Sequence, residues 1–129
     1  MKNKIIDCIT FFDNTLMFDL RFNILKEVVD IFVVCESKYD HRNREKQLNF
    51  DTKFLSEKKI KYFVLEEQFP KSSNIWQNQA IQREYMLKKL DSAEDEDLIF
   101  FSDPDEIPNP DILKNFYLTK KYGIFFQSC

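Results

Sequence analysis

Asp103, Asp105 and Glu106 follow directly on the apolar run Asp97-Leu98-Ile99-Phe100-Phe101-Ser102, so three carboxylates stand at the end of a segment that reads as a buried strand. Open α/β sheets bind ligands beyond the carboxyl ends of their strands. Hard oxygen ligands at such a place suit Mg²⁺ or Mn²⁺, which can bridge a diphosphate and neutralise a leaving group. Pro104 and Pro108 restrict the backbone of this loop. Asp-x-Asp spacing is equally that of a solvated acidic loop ahead of a helix, and spacing alone leaves the two readings level. An EF-hand is excluded, because its fifth and sixth loop positions would be Ile107 and Pro108, where that loop needs a glycine.

Arg83 falls in the same helical stripe as Trp76, Ala80, Leu87 and Leu90. A guanidinium on an apolar face needs a partner, either a structural carboxylate or a ligand phosphate near the strand tips. Gln79 lies at the edge of this face and could act with it. Glu36 ends the apolar run Asp30–Cys35, and the tips of parallel strands gather on one edge of a sheet, which places Glu36 near Asp103 and Asp105. Asp19 and Arg21 cannot face each other on a helix, and either can simply be a solvated charge. His41 has no Cys or second His beside it, which argues against a metal role. No Ser, His and Asp pattern or nucleophilic cysteine context stands out. Gly123 is the only glycine, so a glycine-rich phosphate loop is excluded.

The elements that must position these residues alternate in type. Lys4 to Phe12 reads as a strand, followed by a helix capped by Asn14 whose Leu16, Leu20, Ile24 and Val28 stripe, with Phe18, Phe22, Leu25 and Val29 beside it, predicts burial against a sheet. Asp30 to Cys35 is a strand covered on both faces, with a polar tip at Glu36-Ser37. Lys38 to Asn49 is a charged surface loop, then come a short helix and a strand at Ile60 to Leu65. A second helix covers about Asn74 to Leu90 with Ser72 or Ser73 as its cap. Asp97 to Ser102 is a fourth buried strand, Asn109-Pro110 opens a third helix that Gly123 ends, and Ile124-Phe125-Phe126 begins another strand. This order predicts an α/β fold with a mostly parallel sheet flanked by helices, its strands near Ile31, Tyr62 and Ile99 neighbours in one sheet.

A chain of 129 residues suits one domain, and 43% hydrophobic with 14 phenylalanines excludes a disordered chain. Nineteen basic against 22 acidic residues, interspersed, argue against nucleic acid as a partner. Cys8 and Cys35 lie in apolar runs, and with Cys129 they form no C-x-x-C pair, so the first two are expected buried and reduced. With no signal peptide or spanning apolar run, the expectation is a cytoplasmic chain, membrane-peripheral at most.

The ordered blocks Ile6-Asp7-Cys8, Phe11-Phe12-Asp13-Asn14, Leu20-Arg21-Phe22-Asn23, Val28 to Ser37, Lys46-Gln47-Leu48-Asn49-Phe50, Trp76-Gln77-Asn78-Gln79, Gln82-Arg83 and Asp97 to Pro108 together resemble glycosyltransferase family 17, the β-1,4-mannosyl-glycoprotein N-acetylglucosaminyltransferases. The resemblance spans nearly the whole chain. It implies a GT-A-like fold, incomplete at the C-terminus, and transfer of N-acetylglucosamine from a UDP-sugar to a glycan acceptor in N-glycan processing, by inverting single displacement. It further implies that Asp105, with Asp103, holds Mn²⁺ or Mg²⁺ on the diphosphate, and that Glu36 and Arg83 help line the donor site. The competing readings are a metal-dependent nucleotidyl- or phosphotransferase, which an acidic strand tip serves equally, and a non-catalytic or carbohydrate-binding remnant.

Overall fold

The computed structural model describes residues 4–13, 15–90, 97–103 and 105–114. Within them the chain runs β1 (Ile5–Phe11), α1 (Thr15–Leu25), β2 (Ile31–Ser37), a 3-10 helix (Thr52–Ser56), β3 (Ile60–Leu65), α2 (Ile75–Lys88), β4 (Leu98–Phe101) and α3 (Pro110–Lys114). The strands form one sheet in the order β3-β2-β1-β4, and every pair is parallel. The expected α/β fold is present. The strands of Ile31 and Tyr62 pair directly, but β1 stands between them and β4, because the chain steps outward from β1 to β3 and then crosses back past β1. The strand order therefore reverses between β1 and β4, which is where open α/β sheets bind ligands.

Alternation along the strands builds two cores. Ile5, Ile9 and Phe11 of β1 face α1 with Phe32 and Val34 of β2, whereas Ile6, Cys8, Val33 and Cys35 face α2 with Met86. The α1 side is packed by aromatic rings, with Phe18 5.1 Å from Phe50 and 5.0 Å from Phe54, centroid to centroid. Edge-to-face contacts of this kind add to simple burial. Cys8 and Cys35 are buried free thiols, as expected.

Helix α1 buries only the phenylalanine side of its expected apolar face, and α2 buries a different face from the one expected. On α1, Leu16 is 81% exposed and Leu20 and Ile24 are exposed too, while Phe18, Arg21, Phe22 and Leu25 are buried. Apolar residues occupy more than one stripe of this helix, and the phenylalanines, with a partner for Arg21, set its rotation. On α2 the stripe of Trp76, Ala80, Arg83 and Leu87 is exposed, and Asn78, Gln82 and Met86 are buried. Asn78 Nδ2 donates to the His41 carbonyl at 2.8 Å and Gln82 Nε2 to the Cys35 carbonyl at 2.9 Å, so amides are needed where apolar side chains would leave carbonyls unserved.

Other boundaries shift slightly. Asn74, rather than Ser72 or Ser73, caps α2 in a reciprocal capping box with Gln77. Asn109 caps α3 by accepting from the Asp111 amide at 2.9 Å. β4 is only partly buried, with Phe101 exposed, because among the described residues it pairs with β1 alone. Asn14, Pro104, Gly123, the Ile124–Phe126 segment and Cys129 lie outside the described residues. Among the described residues no helix is long and apolar enough to cross a membrane.

Candidate functional site

β4 delivers the acidic loop to the carboxyl edge of the sheet, and α3 follows it with Leu113 and the neighbouring Pro108 buried. The Glu106 amide donates to the Asp103 carbonyl at 2.9 Å, closing a turn over Asp105. In return the Asp103 amide donates to Glu106 Oε1 at 3.1 Å. This reciprocal pair leaves Asp103 and Asp105 exposed at the tip of the turn.

Beside the turn, at the point where the strand order reverses, lies a cavity of about 420 Å³ lined by Cys8, Thr10, Arg83, Met86, Phe101, Ser102, Asp103 and Glu106. One wall is β1 and β4, another is the last turns of α2, and the mouth is acidic on one side and basic on the other. The Asp103 carboxyl is held above its ordinary value by burial first, then by the charges of Glu106 and Asp105 and a hydrogen bond with Glu106, against which the Arg83 cation pulls it down. Arg83 thus faces the acidic loop from an exposed position on α2. Asp105 stands in the exposed turn next to the cavity, and partly buried Gln79 is not part of its lining.

Glu36 is on the same edge but is not part of the cavity lining. It is 0% exposed and accepts from Lys46 Nζ at 2.6 Å, the Asn49 amide at 2.7 Å, the Phe50 amide at 3.1 Å and the Tyr62 hydroxyl at 2.7 Å. Four donors from the 46–50 segment and β3 converge on one carboxylate, which therefore pins the loop that follows β2. Burial and the Glu36 charge push the Tyr62 hydroxyl well above the usual tyrosine range.

A residue that the sequence left as a solvated charge proves to be the most connected group at this edge. Arg21 is 0% exposed, and its Nε and Nη2 form a two-bond fork, 2.7 Å each, with the carboxylate of Asp7, itself fully buried in β1. The expectation of solvation fails because Arg21 faces the sheet beneath Phe18 and Phe22. Nη1 donates to the Glu106 carbonyl at 2.7 Å and the Asp103 carbonyl at 3.2 Å, and Nη2 to Ser102 Oγ at 2.6 Å. The signal in the sequence was a lone carboxylate inside the run Ile5-Ile6-Asp7-Cys8-Ile9 and a lone cation between Leu20 and Phe22, since buried charges are paired.

The sequence profile of glycosyltransferase family 17 matches residues 1–124. The chain belongs to glycosyltransferase family 17. No curated protein and no solved structure matches it. Membership makes it a sugar transferase by family, with a sugar donor and an acceptor as its partners. In this family-17 chain the lining of the cavity at the strand reversal and the adjoining turn carry carboxylates of the kind that hold a hard cation. Two carboxylates at the turn tip offer oxygen ligands, and the Asp103 carboxyl is raised first by burial and then by the Glu106 and Asp105 charges, a repulsion that a cation would relieve. Among the described residues no three acidic, His or Cys side chains converge on one point.

Proposed function

We propose that this chain binds a UDP-sugar, UDP-N-acetylglucosamine by the family resemblance, and transfers its sugar to a glycan acceptor with inversion. The observation that carries the reading is the cavity at the reversal of strand order, lined by Arg83, Asp103 and Glu106, with Asp105 in the turn beside it. A diphosphate brought there meets negative charge, so it needs a cation on one side and a guanidinium on the other. Asp103 and Asp105 would hold Mn²⁺ or Mg²⁺, which when bound neutralises the phosphate charge that develops as the donor bond breaks. Arg83 would take a phosphate oxygen from the opposite wall, and Gln79, on the same helix, stands near enough in sequence to assist it. Glu36 acts at one remove, by fixing the loop after β2.

In the transfer an acceptor hydroxyl attacks the anomeric carbon, the bond from that carbon to the phosphate oxygen breaks, and UDP departs with the electron pair. The hydroxyl proton passes to a general base. The protein's share of this chemistry is to place the diphosphate and stabilise its charge, which is the larger part of catalysis where a charged group leaves.

Calorimetric titration with UDP-N-acetylglucosamine, UDP-glucose, GDP-mannose and ATP, each with Mn²⁺, tests the substrate class. Tightest binding of a UDP-sugar supports the proposal. Preference for ATP over every nucleotide-sugar would move the chain to nucleotidyl or phosphoryl transfer.

A further inference from the structure

The connections of Arg21 exceed what fastening α1 to β1 requires. Among its contacts are five hydrogen bonds from the guanidinium, two to Asp7, one to Ser102 Oγ and one each to the Asp103 and Glu106 carbonyls. A pair of apolar residues would join a helix to a strand as well or better, because removing two charges from water is expensive and a buried ion pair is weak evidence for stability. Three of the five bonds go to the segment that carries the acidic turn. The guanidinium lies on the α1 face of the sheet while the Asp103 and Glu106 side chains line the cavity on the α2 face, so Arg21 holds the backbone of the turn from behind.

We propose that Arg21, itself oriented by Asp7, is a positioning residue that fixes the acidic turn so that its carboxylates face the cavity. Its role is geometric, since its charge is matched by Asp7 and the cation felt at the Asp103 carboxyl is Arg83. The planar fork is what the task demands: two N–H groups lock onto Asp7 and the remaining three reach a hydroxyl and two carbonyls in one plane. A lysine can meet Asp7 but cannot span these acceptors. The consequence for ligand binding rests on the donor reading given above, whereas the hold on the turn does not.

The test uses the full chain with Asp7→Leu combined with Arg21→Met, and separately Ser102→Ala, which leaves the ion pair intact. Two quantities are measured in each: amide hydrogen exchange at Glu106 relative to Val33 and Val34 in β2, and the ratio of UDP affinities in Mn²⁺ and in chelator. In the double variant the Glu106 amide should exchange ~10-fold faster or more while β2 keeps its protection, since a bond to a charged group is lost from the turn. The Mn²⁺ advantage for UDP should fall by a similar factor, an effect that general loosening of the fold would not produce because binding in chelator serves as the internal reference. Ser102→Ala should move both readouts the same way by a smaller factor, and it decides the matter if the double variant does not fold. Unchanged Glu106 exchange in the folded variants would overturn the proposal. Wild-type protein with no Mn²⁺ advantage for UDP would instead remove the donor reading, leaving the hold on the turn to be judged by exchange alone.

Discussion

Glu36 offers a sharp discrimination between bracing and binding. The carboxylate accepts four hydrogen bonds, two on each oxygen, from Lys46 and Asn49 on Oε2 and from Phe50 and Tyr62 on Oε1. Glu36→Ala leaves the buried Phe50 amide, the Asn49 amide, a hydroxyl and the Lys46 ammonium, only 12% exposed, around an empty space. Removing one partner of such a buried pair destabilises by ~3–5 kcal/mol. For a domain of this length that is a fall in melting temperature of roughly 10–20 °C. Glu36→Gln should do less harm. With its carbonyl toward Lys46 and Asn49 and its NH₂ toward Tyr62, whose hydroxyl can turn to accept, only the Phe50 amide is stranded, which destabilises by ~1–3 kcal/mol. Thermal melts by circular dichroism measure both changes, and titration with UDP and Mn²⁺ on the Gln variant completes the assay. If Glu36→Gln melted like wild type yet lost UDP affinity, Glu36 would be a ligand contact and the bracing argument would be wrong.

Asp7→Asn should destabilise by ~3–5 kcal/mol because it strands the buried Arg21 charge, whereas the Asp7→Leu, Arg21→Met double variant should melt close to wild type, and chemical denaturation measures both. Asp103 has a folded pKa above its ordinary 3.8, burial being the first cause and the Glu106 and Asp105 charges next. Its contribution to stability is therefore present below that value and lost as pH rises through the raised one, so Asp103→Asn should flatten the decline of melting temperature over that acidic window. Burial pushes the Cys8 and Cys35 thiols up to about 12, so at pH 8 neither should react with a thiol reagent until the protein unfolds. Mass analysis of peptides after timed labelling tests this, and rapid modification of either residue in native protein would contradict it.

The sequence carried the strands and the acidic turn clearly because each strand is mostly apolar and the turn follows the last of them directly: β3 spans Ile60–Leu65 as expected, and α3 starts at Pro110 behind its Asn109 cap. Helix rotation was harder to read. α1 is apolar on more than one stripe, so periodicity could not choose between Leu16-Leu20-Ile24 and Phe18-Phe22-Leu25, and α2 buries amides that no hydrophobic pattern selects. The same difficulty hid the Arg21–Asp7 pair, since two residues on different elements meet only once the rotation of α1 is fixed. The stripe that carries Arg83 is apolar in sequence but not buried. Arg83 is exposed, and it faces the acidic loop because α2 crosses beside the strand reversal.

Calorimetric titration of wild-type and Asp105→Asn protein with a UDP-sugar, with Mn²⁺ and then with chelator, addresses the proposed donor site most directly. Asparagine keeps the shape of the side chain in the turn and removes its negative charge. The account predicts tighter binding by wild type in Mn²⁺ than in chelator, and loss of that difference in Asp105→Asn, because the cation between carboxylate and diphosphate is what overcomes their repulsion. Binding that is independent of the metal and unaffected by Asp105→Asn would contradict it.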